Sequence, residues 1–246
     1  RRRALITGAG TGIGAVTARL LVERGWLVAI VDRDGDAARR TAEAIGSDST
    51  LWQQGDVVDP KAIASLLDSM FEAWGGIDDL VNNAGTFHHG PLLDLAPEHW
   101  RQVFDVNLFA AIEIANAVVR RMNAGGAIVN VSSVLGQVAA PTRGPYCVSK
   151  SALISLTKIQ AIEWAERRVR VNAIAPGYIL NEPVRALAAA GSFDLAAIER
   201  RTPMNRLGTE LEVAEGIALL LDPGRASYIT GHVLEVNGGW TAYGFV

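Results

Sequence analysis

Tyr146 and Lys150 stand four residues apart, and Ser133 lies thirteen residues before Tyr146 in a Ser-Ser pair closing the apolar run AIVNVSS at 127–133. Together they hold the parts of an acid–base device. A phenol can give or take a proton on an oxygen, an ammonium can favour the phenolate, and a hydroxyl can hold a substrate oxygen. On a helix, residues spaced i,i+4 share one face. A free tyrosine has a pKa of about 10, too high for a base near neutrality, and a cation within roughly 4–6 Å lowers it. The plain alternative is a surface Tyr and Lys on an ordinary helix, and the spacing alone does not separate the two.

The next chemistry-bearing stretch is Thr7-Gly8-Ala9-Gly10-Thr11-Gly12-Ile13-Gly14, between a first strand and a first helix. Glycines there permit positive φ and let backbone N–H groups approach a pyrophosphate at the helix N-terminus. Gly10-x-Gly12-x-x-Ala15 meets the dinucleotide fingerprint, and the wider Gly8-x3-Gly12-x-Gly14 is the more distinctive spacing. Asp32 ends the second strand, 24 residues after Gly8, where an acid meets the adenosine ribose hydroxyls. A carboxylate there repels a 2′-phosphate. Like charges 4 Å apart at an effective dielectric near 20 cost on the order of 4 kcal/mol. NAD is therefore expected over NADP. Arg33 is the complication, since a guanidinium can clamp a phosphate, but the glycine loop adds no second cation.

The elements that must position these groups alternate short apolar runs with helical periods. Strands are expected at Ala4–Thr7, Leu27–Val31, Thr50–Gln53, Asp79–Val81, Ala127–Val131, Arg170–Ala175 and His232–Val236. Most are continuously apolar, as befits a parallel sheet covered on both faces. Ile13, Val16, Leu20 and Leu21 share a face of the first helix, with Gly25 as its C-terminal stop. Asp59-Pro60 reads as N-cap and first residue of another. Long helices are expected over about 97–122 and 146–167. Repeated strand–helix–strand units imply right-handed crossovers and a doubly wound Rossmann-type α/β sheet in three layers. Residues 1–246 read as one dinucleotide-binding and catalytic domain. The rhythm lapses over 178–208, where an insertion with an Ala-rich helix (Val184–Ala190) follows strand six. It would overhang the strand ends as a substrate lid.

Bulk composition narrows the classes. The 246 residues are 49% hydrophobic and 20% charged, with net charge −3 and pI near 5.8. No basic surface argues for nucleic acid or an anionic membrane, and no apolar run approaches the ~18–20 residues of a membrane span. Arg1-Arg2-Arg3 leads straight into a strand, so no signal peptide is expected, and the missing initiator Met suggests trimming. The single cysteine, Cys147, fits a reducing cytoplasm. His88, His89, His99 and His232 offer no metal-ligand spacing, so no metal site is expected.

Taken together, TGAGTGIG at 7–14, Asn82-Asn83-Ala84-Gly85, Ser133, Tyr146-x3-Lys150, Pro176-Gly177 and Gly231-x6-Gly238-Gly239 resemble the short-chain dehydrogenase/reductase family in its single-domain form, over essentially the whole chain. The resemblance implies a seven-stranded parallel sheet ordered 3-2-1-4-5-6-7 and hydride transfer at a nicotinamide. It also implies that Asn107 joins Ser133, Tyr146 and Lys150 in a tetrad, anchoring a water that links Lys150 to solvent. Extended backbone points Ser132 and Ser133 to opposite faces, and the family's spacing selects Ser133. Asp56 and Val57 would border the adenine, Asn83, Ala84 and Gly85 would line the adenosine side, and Lys150 would bond the nicotinamide ribose. Pro176, Gly177 and Ile179 would pack around the nicotinamide. Asn181 departs from the family, which commonly has a threonine there; its amide can still donate and accept.

The expected activity is reversible alcohol–ketone oxidoreduction with NAD(H), Tyr146 being acid or base. The substrate leans toward a sugar, polyol or hydroxy acid, with His88, Gln137, Tyr178, the lid, Trp240 and Tyr243 as pocket candidates. The alternative is an NADPH-dependent 3-oxoacyl thioester reductase, against which Asp32 argues. A nucleotide sensor without catalysis is a further alternative. Sugar epimerases of the longer branch need more chain than this. The aromatic tail over Val236–Val246 (Trp240, Tyr243, Phe245) and the two long helices point to a homotetramer.

Overall fold

The computed structural model describes residues 1–123, 125–189 and 194–244. Among these, seven strands form one sheet: β1 (Arg3–Thr7), β2 (Leu27–Asp32), β3 (Thr50–Gln54), β4 (Asp79–Asn82), β5 (Gly126–Val131), β6 (Val169–Pro176) and β7 (Val233–Val236). All pairs are parallel and the order is β3-β2-β1-β4-β5-β6-β7. The order reverses between β1 and β4, and a ligand crevice forms at such a switch point.

Strand side chains alternate between two cores, as period-two geometry demands. Ile6, Ile30, Val129 and Ile174 pack with α1 (Gly12–Glu23), α2 (Gly35–Ile45) and α9 (Glu210–Leu221). Leu5, Val31, Leu80 and Ile128 face α3 (Pro60–Trp74) and α5 (Ala110–Arg121) on the opposite side. Full burial of an aliphatic side chain contributes roughly 1.5–3 kcal/mol, and both faces need that cover. This is the doubly wound, three-layer architecture that the continuous apolar strands imply.

The local start and stop signals operate as read. Asp59 Oδ1 accepts from Lys61 N–H at 2.9 Å with Pro60 opening α3. Gly25, with φ +89°, follows α1. Two helices differ in detail from the expectation. Residues 97–121 form α4 (Pro97–Phe104) and α5 joined by a π-helical turn, Asp105–Phe109. The second long helix, α6 (Gly144–Glu163), stops before a 3₁₀ turn at Ala165–Arg167. By length and composition the continuous helix Pro97–Arg121 is apolar enough to cross a membrane, which the sequence reading overlooked. Ile114, Ala115 and Val118 of α5 are nevertheless buried in the core.

The insertion after β6 carries α7 (Glu182–Ala189) and α8 (Leu195–Arg201). The expected end of the Ala-rich helix at Ala190 lies outside the described residues, as does Phe245. The rest of the aromatic tail folds back on its own chain. Trp240 packs on Tyr178 with ring centroids 4.9 Å apart. The Arg201 guanidinium lies 4.7 Å from the Trp240 ring and 5.2 Å from that of Tyr243, and it donates to both backbone carbonyls. Its own chain therefore covers part of that aromatic area, while Tyr243 stays 39% exposed.

Candidate active site

The β1–α1 turn is built for close approach. Gly8 has φ +61°, and a Cβ there would stand 2.9 Å from Ala84 Cα. Thr7 Oγ1 accepts from the N–H groups of Asn83 and Ala84, each at 3.0 Å. Asn83 Nδ2 donates back to the carbonyls of Thr7 (2.9 Å) and Gly8 (2.8 Å). Asp32 Oδ2 accepts from Gly10 N–H at 2.9 Å and Oδ1 from Asp34 N–H at 3.0 Å. The carboxylate thus braces the loop it was expected to serve.

A cavity of about 560 Å³ runs along this turn, walled by Gly8, Thr11, Asp32, Arg33, Asp56, Val57, Asn83, Ala84 and Gly85 among others. A second, of about 390 Å³, shares Asn83, Gly85 and Thr86 with the first and holds Ile13, Ser133, Tyr146, Lys150, Pro176, Gly177 and Ile179. Gly12 and Gly14 line neither; Gly12, at φ +60°, opens α1 where the turn ends. The paired cavities, the Cβ-free approach at Gly8 and the adjoining helix start fit an extended dinucleotide.

Ser133 follows the end of β5 and caps a 3₁₀ turn, its Oγ accepting from Leu135 N–H at 3.1 Å. Its side chain also acts on the Tyr146 phenol, opposing the rise that burial causes. Ser132 turns the other way and donates to the Lys150 carbonyl at 2.9 Å. The hydroxyl that meets the phenol is therefore that of Ser133.

Loss of hydration pushes the Tyr146 phenol above its ordinary value, opposed by Ser133 and by the Arg143 charge. The Lys150 ammonium, 5.7 Å from the Tyr146 ring centroid, donates to the Val131 carbonyl at 2.7 Å. Burial brings its own pKa down to about 8. Spacing along the helix brought the two side chains into one cavity, but a backbone carbonyl took the ammonium.

Asn107 sits in the π turn, 2% exposed. Its Oδ1 accepts from Thr86 N–H (2.7 Å), and its Nδ2 donates to the Thr86 carbonyl (2.9 Å) and to Ser149 Oγ (3.0 Å). It ties the β4 loop to α6. A Cβ added at Gly85 would lie 3.5 Å from both Asn107 Oδ1 and Lys150 Nζ, which places those two side chains beside the same residue.

Of the pocket candidates, Tyr178 lines the Tyr146 cavity, and Trp240 backs it. His88 instead stacks on His99, 4.4 Å between centroids, and bonds Gln102. Gln137 donates to Glu235 at 2.8 Å. Asn181 lines the cavity while accepting from Val184 N–H at the start of α7. Sequence reasoning missed Thr86, Phe87, His89 and Arg143 in the wall. For Arg143 the signal was its place three residues before Tyr146. Tyr178 also lines a third cavity of about 290 Å³, with Thr202, Met204, Glu212 and Glu235 on its far side.

The chain resembles known proteins over nearly its whole length. A family model described as enoyl-(acyl carrier protein) reductase matches residues 8–241. The chain is 40% identical over 247 residues to cis-4-hydroxycyclohexanecarboxylate dehydrogenase of Sinomonas cyclohexanicum, covering 98% of this chain and 97% of the relative. It is 36% identical over 238 residues to the 3-oxoacyl-[acyl-carrier-protein] reductase FabG of Vibrio cholerae, covering 96% of each. Among solved structures, ElxO with NADP bound superposes with TM-score 0.92 at 30% identity, over 99% of this chain and 100% of that one. A short-chain type dehydrogenase/reductase from Mycobacterium marinum gives 0.91 at 34% identity, over 98% and 96%. The chain is an oxidoreductase acting on CH–OH and keto groups. The chain belongs to the short-chain dehydrogenase/reductase family.

Proposed function

We propose that this protein is an NAD(H)-dependent dehydrogenase interconverting a secondary alcohol and its ketone, with Tyr146 as acid and base. The observation that carries the reading is the Ser133–Tyr146 pair in a cavity that opens into the cleft beneath the glycine turn. A bound nicotinamide supplies the hydride chemistry. In oxidation Tyr146 Oη takes the hydroxyl proton while Ser133 Oγ holds the reacting oxygen and stabilises its developing charge. Lys150 passes the proton onward, through a water that Asn107 anchors; both side chains lie close to Gly85. Thr11, Arg33, Asp56, Val57 and Ala84 border the adenosine side, and Pro176, Gly177 and Ile179 the nicotinamide side. Residues 178–208 act as the lid of a single domain.

The NAD preference rests on Asp32 and on the acids Asp56, Glu98 and Asp105, which outnumber Arg33 and Arg101 around the same cavity. The solved structure of ElxO holds NADP; the charge around this cavity is what favours NAD here. The 3-oxoacyl thioester reductase alternative has FabG relatives in its favour and the same acids against its usual cofactor. We place the protein in the cytoplasm as a homotetramer.

Replacement of Tyr146 by Phe tests the chemistry. We expect turnover of secondary alcohols, followed at 340 nm, to fall by about 10²–10⁴-fold. NADH binding by fluorescence titration should change little, because the ring remains. Activity within tenfold of the parent would assign the proton to another group.

A further inference from the structure

Among the described residues the wall around Tyr146 contains no carboxylate. Its cations are Lys150, which donates to the Val131 carbonyl, and Arg143. Among the described residues the Arg143 guanidinium has neither a hydrogen-bond nor an ion-pair partner. It is half-buried, and a cation withdrawn from water is unfavourable until an anion meets it. The backbone delivers it there at a cost. Thr142, the residue before it, has φ +64°, a conformation that β-branched side chains rarely adopt. The turn is held by Gly90 N–H donating to the Thr142 carbonyl at 3.0 Å, and by Cys147 N–H donating to the Arg143 carbonyl at 2.9 Å as α6 begins. Arg143 therefore stands three residues before Tyr146, its charge felt both at the phenol and at His89. Burial and that charge hold His89 below its ordinary pKa, so it faces the cavity as a neutral hydrogen-bonding ring.

We propose that Arg143 binds a carboxylate on the substrate, so that the alcohol this enzyme oxidises is a hydroxy acid and its product a keto acid. The inference rests on the dehydrogenase reading above and narrows its substrate class. A guanidinium fork matches a carboxylate in two parallel hydrogen bonds. One unpartnered cation suits a single negative charge better than a phosphate dianion. The volume of about 390 Å³ is in the range of small-molecule sites.

The test compares acids with their uncharged counterparts. Wild-type enzyme and the R143Q and R143K variants are assayed with NAD+ and NADP+. The substrates are 3-hydroxybutyrate, mandelate and cis-4-hydroxycyclohexanecarboxylate, together with the methyl ester of each and a sugar phosphate. We expect the best acid to exceed its ester about a hundredfold in kcat/KM, and that ratio to fall about a hundredfold in R143Q, mostly through KM. R143K should recover part of it. In parallel, thermal melts with cyclohexanecarboxylate and with cyclohexanecarboxamide report binding without turnover. The acid should raise the wild-type Tm and leave R143Q unmoved, while the amide moves neither. The ligand-free melt shows whether R143Q is folded, and R143K supplies the comparison should it not be. Esters or the sugar phosphate turned over as well as the acids, or an acid-induced shift surviving in R143Q, would overturn the proposal. If no alcohol is oxidised but the acid still stabilises wild type alone, the anion site stands and the dehydrogenase reading falls. Neither turnover nor shift would remove both.

Discussion

Lys150 is 3% exposed, and its ammonium is more easily deprotonated in the fold, at about 8, than in the unfolded chain, at 10.5. Between those values the unfolded chain binds more protons, so stability from this residue rises with pH across the window and is least below pH 8. Lys150→Met lacks that slope. We expect the Tm difference, variant minus parent, to fall as pH goes from 7 to 10 in thermal melts; a constant difference would mean an unperturbed lysine. Asp32 answers to a different measurement. It braces Gly10 through a hydrogen bond of 2.9 Å, so Asp32→Asn, which keeps an acceptor and removes the charge, is the informative change. The parent should favour NAD over NADP by more than tenfold in kcat/KM, and Asp32→Asn should narrow the gap. A tenfold preference for NADP in the parent would make Arg33 the ligand of the 2′-phosphate.

At the scale of the element, the π turn at Asp105–Phe109 sets where Asn107 points. Such turns recur at functional sites because one extra residue re-aims a side chain inside an otherwise regular helix. Asn107→Leu would leave the Thr86 backbone pair and Ser149 without their partner. Unmet buried groups cost about 1–3 kcal/mol each, and partial rearrangement leaves an expected loss of about 2–4 kcal/mol in urea denaturation. A loss under about 0.5 kcal/mol would show that the three bonds contribute little. The sequence announced the strands and not this turn, for a physical reason. Runs such as LVAIVD and AIVNV must be apolar on both sides to sit within a covered sheet, and that demand is written in side chains. The DVNLF turn is made of ordinary helix residues, and its extra residue is a backbone event. The family resemblance located Asn107; composition could not. Likewise the i,i+4 spacing brought Lys150 to Tyr146, but its bond to the Val131 carbonyl depends on a strand distant in sequence. Arg143 went unread because a lone arginine in a turn looks like any solvated charge until the cavity around it is seen.

Over the whole molecule, the argument for assembly moves from the tail to the helices. Trp240 and Tyr243 are engaged by Arg201 of their own chain. The outer side of α6 instead exposes Val148, Ile159 and Ile162, the last at 74%, and Phe109 is exposed in the helix beside it. Residues 148, 159 and 162 fall on one helical face, and two-fold pairing is the commonest way to cover such a face. Light scattering behind a sizing column should report about four times the 26.2 kDa chain mass. Replacing Ile159 and Ile162 together by Glu should reduce it. A monomeric parent at micromolar concentration would defeat the expectation, and a dimer would leave one interface of two.

Tyr178 stands between the 390 Å³ cavity and the 290 Å³ cavity. One aromatic ring, braced from behind by Trp240, is thus a partition between two rooms. The size of substrate this scaffold admits is then a property of a single removable wall. Tyr178→Ala would join the rooms and open the enzyme to bulkier alcohols, leaving Ser133 and Tyr146 where they are.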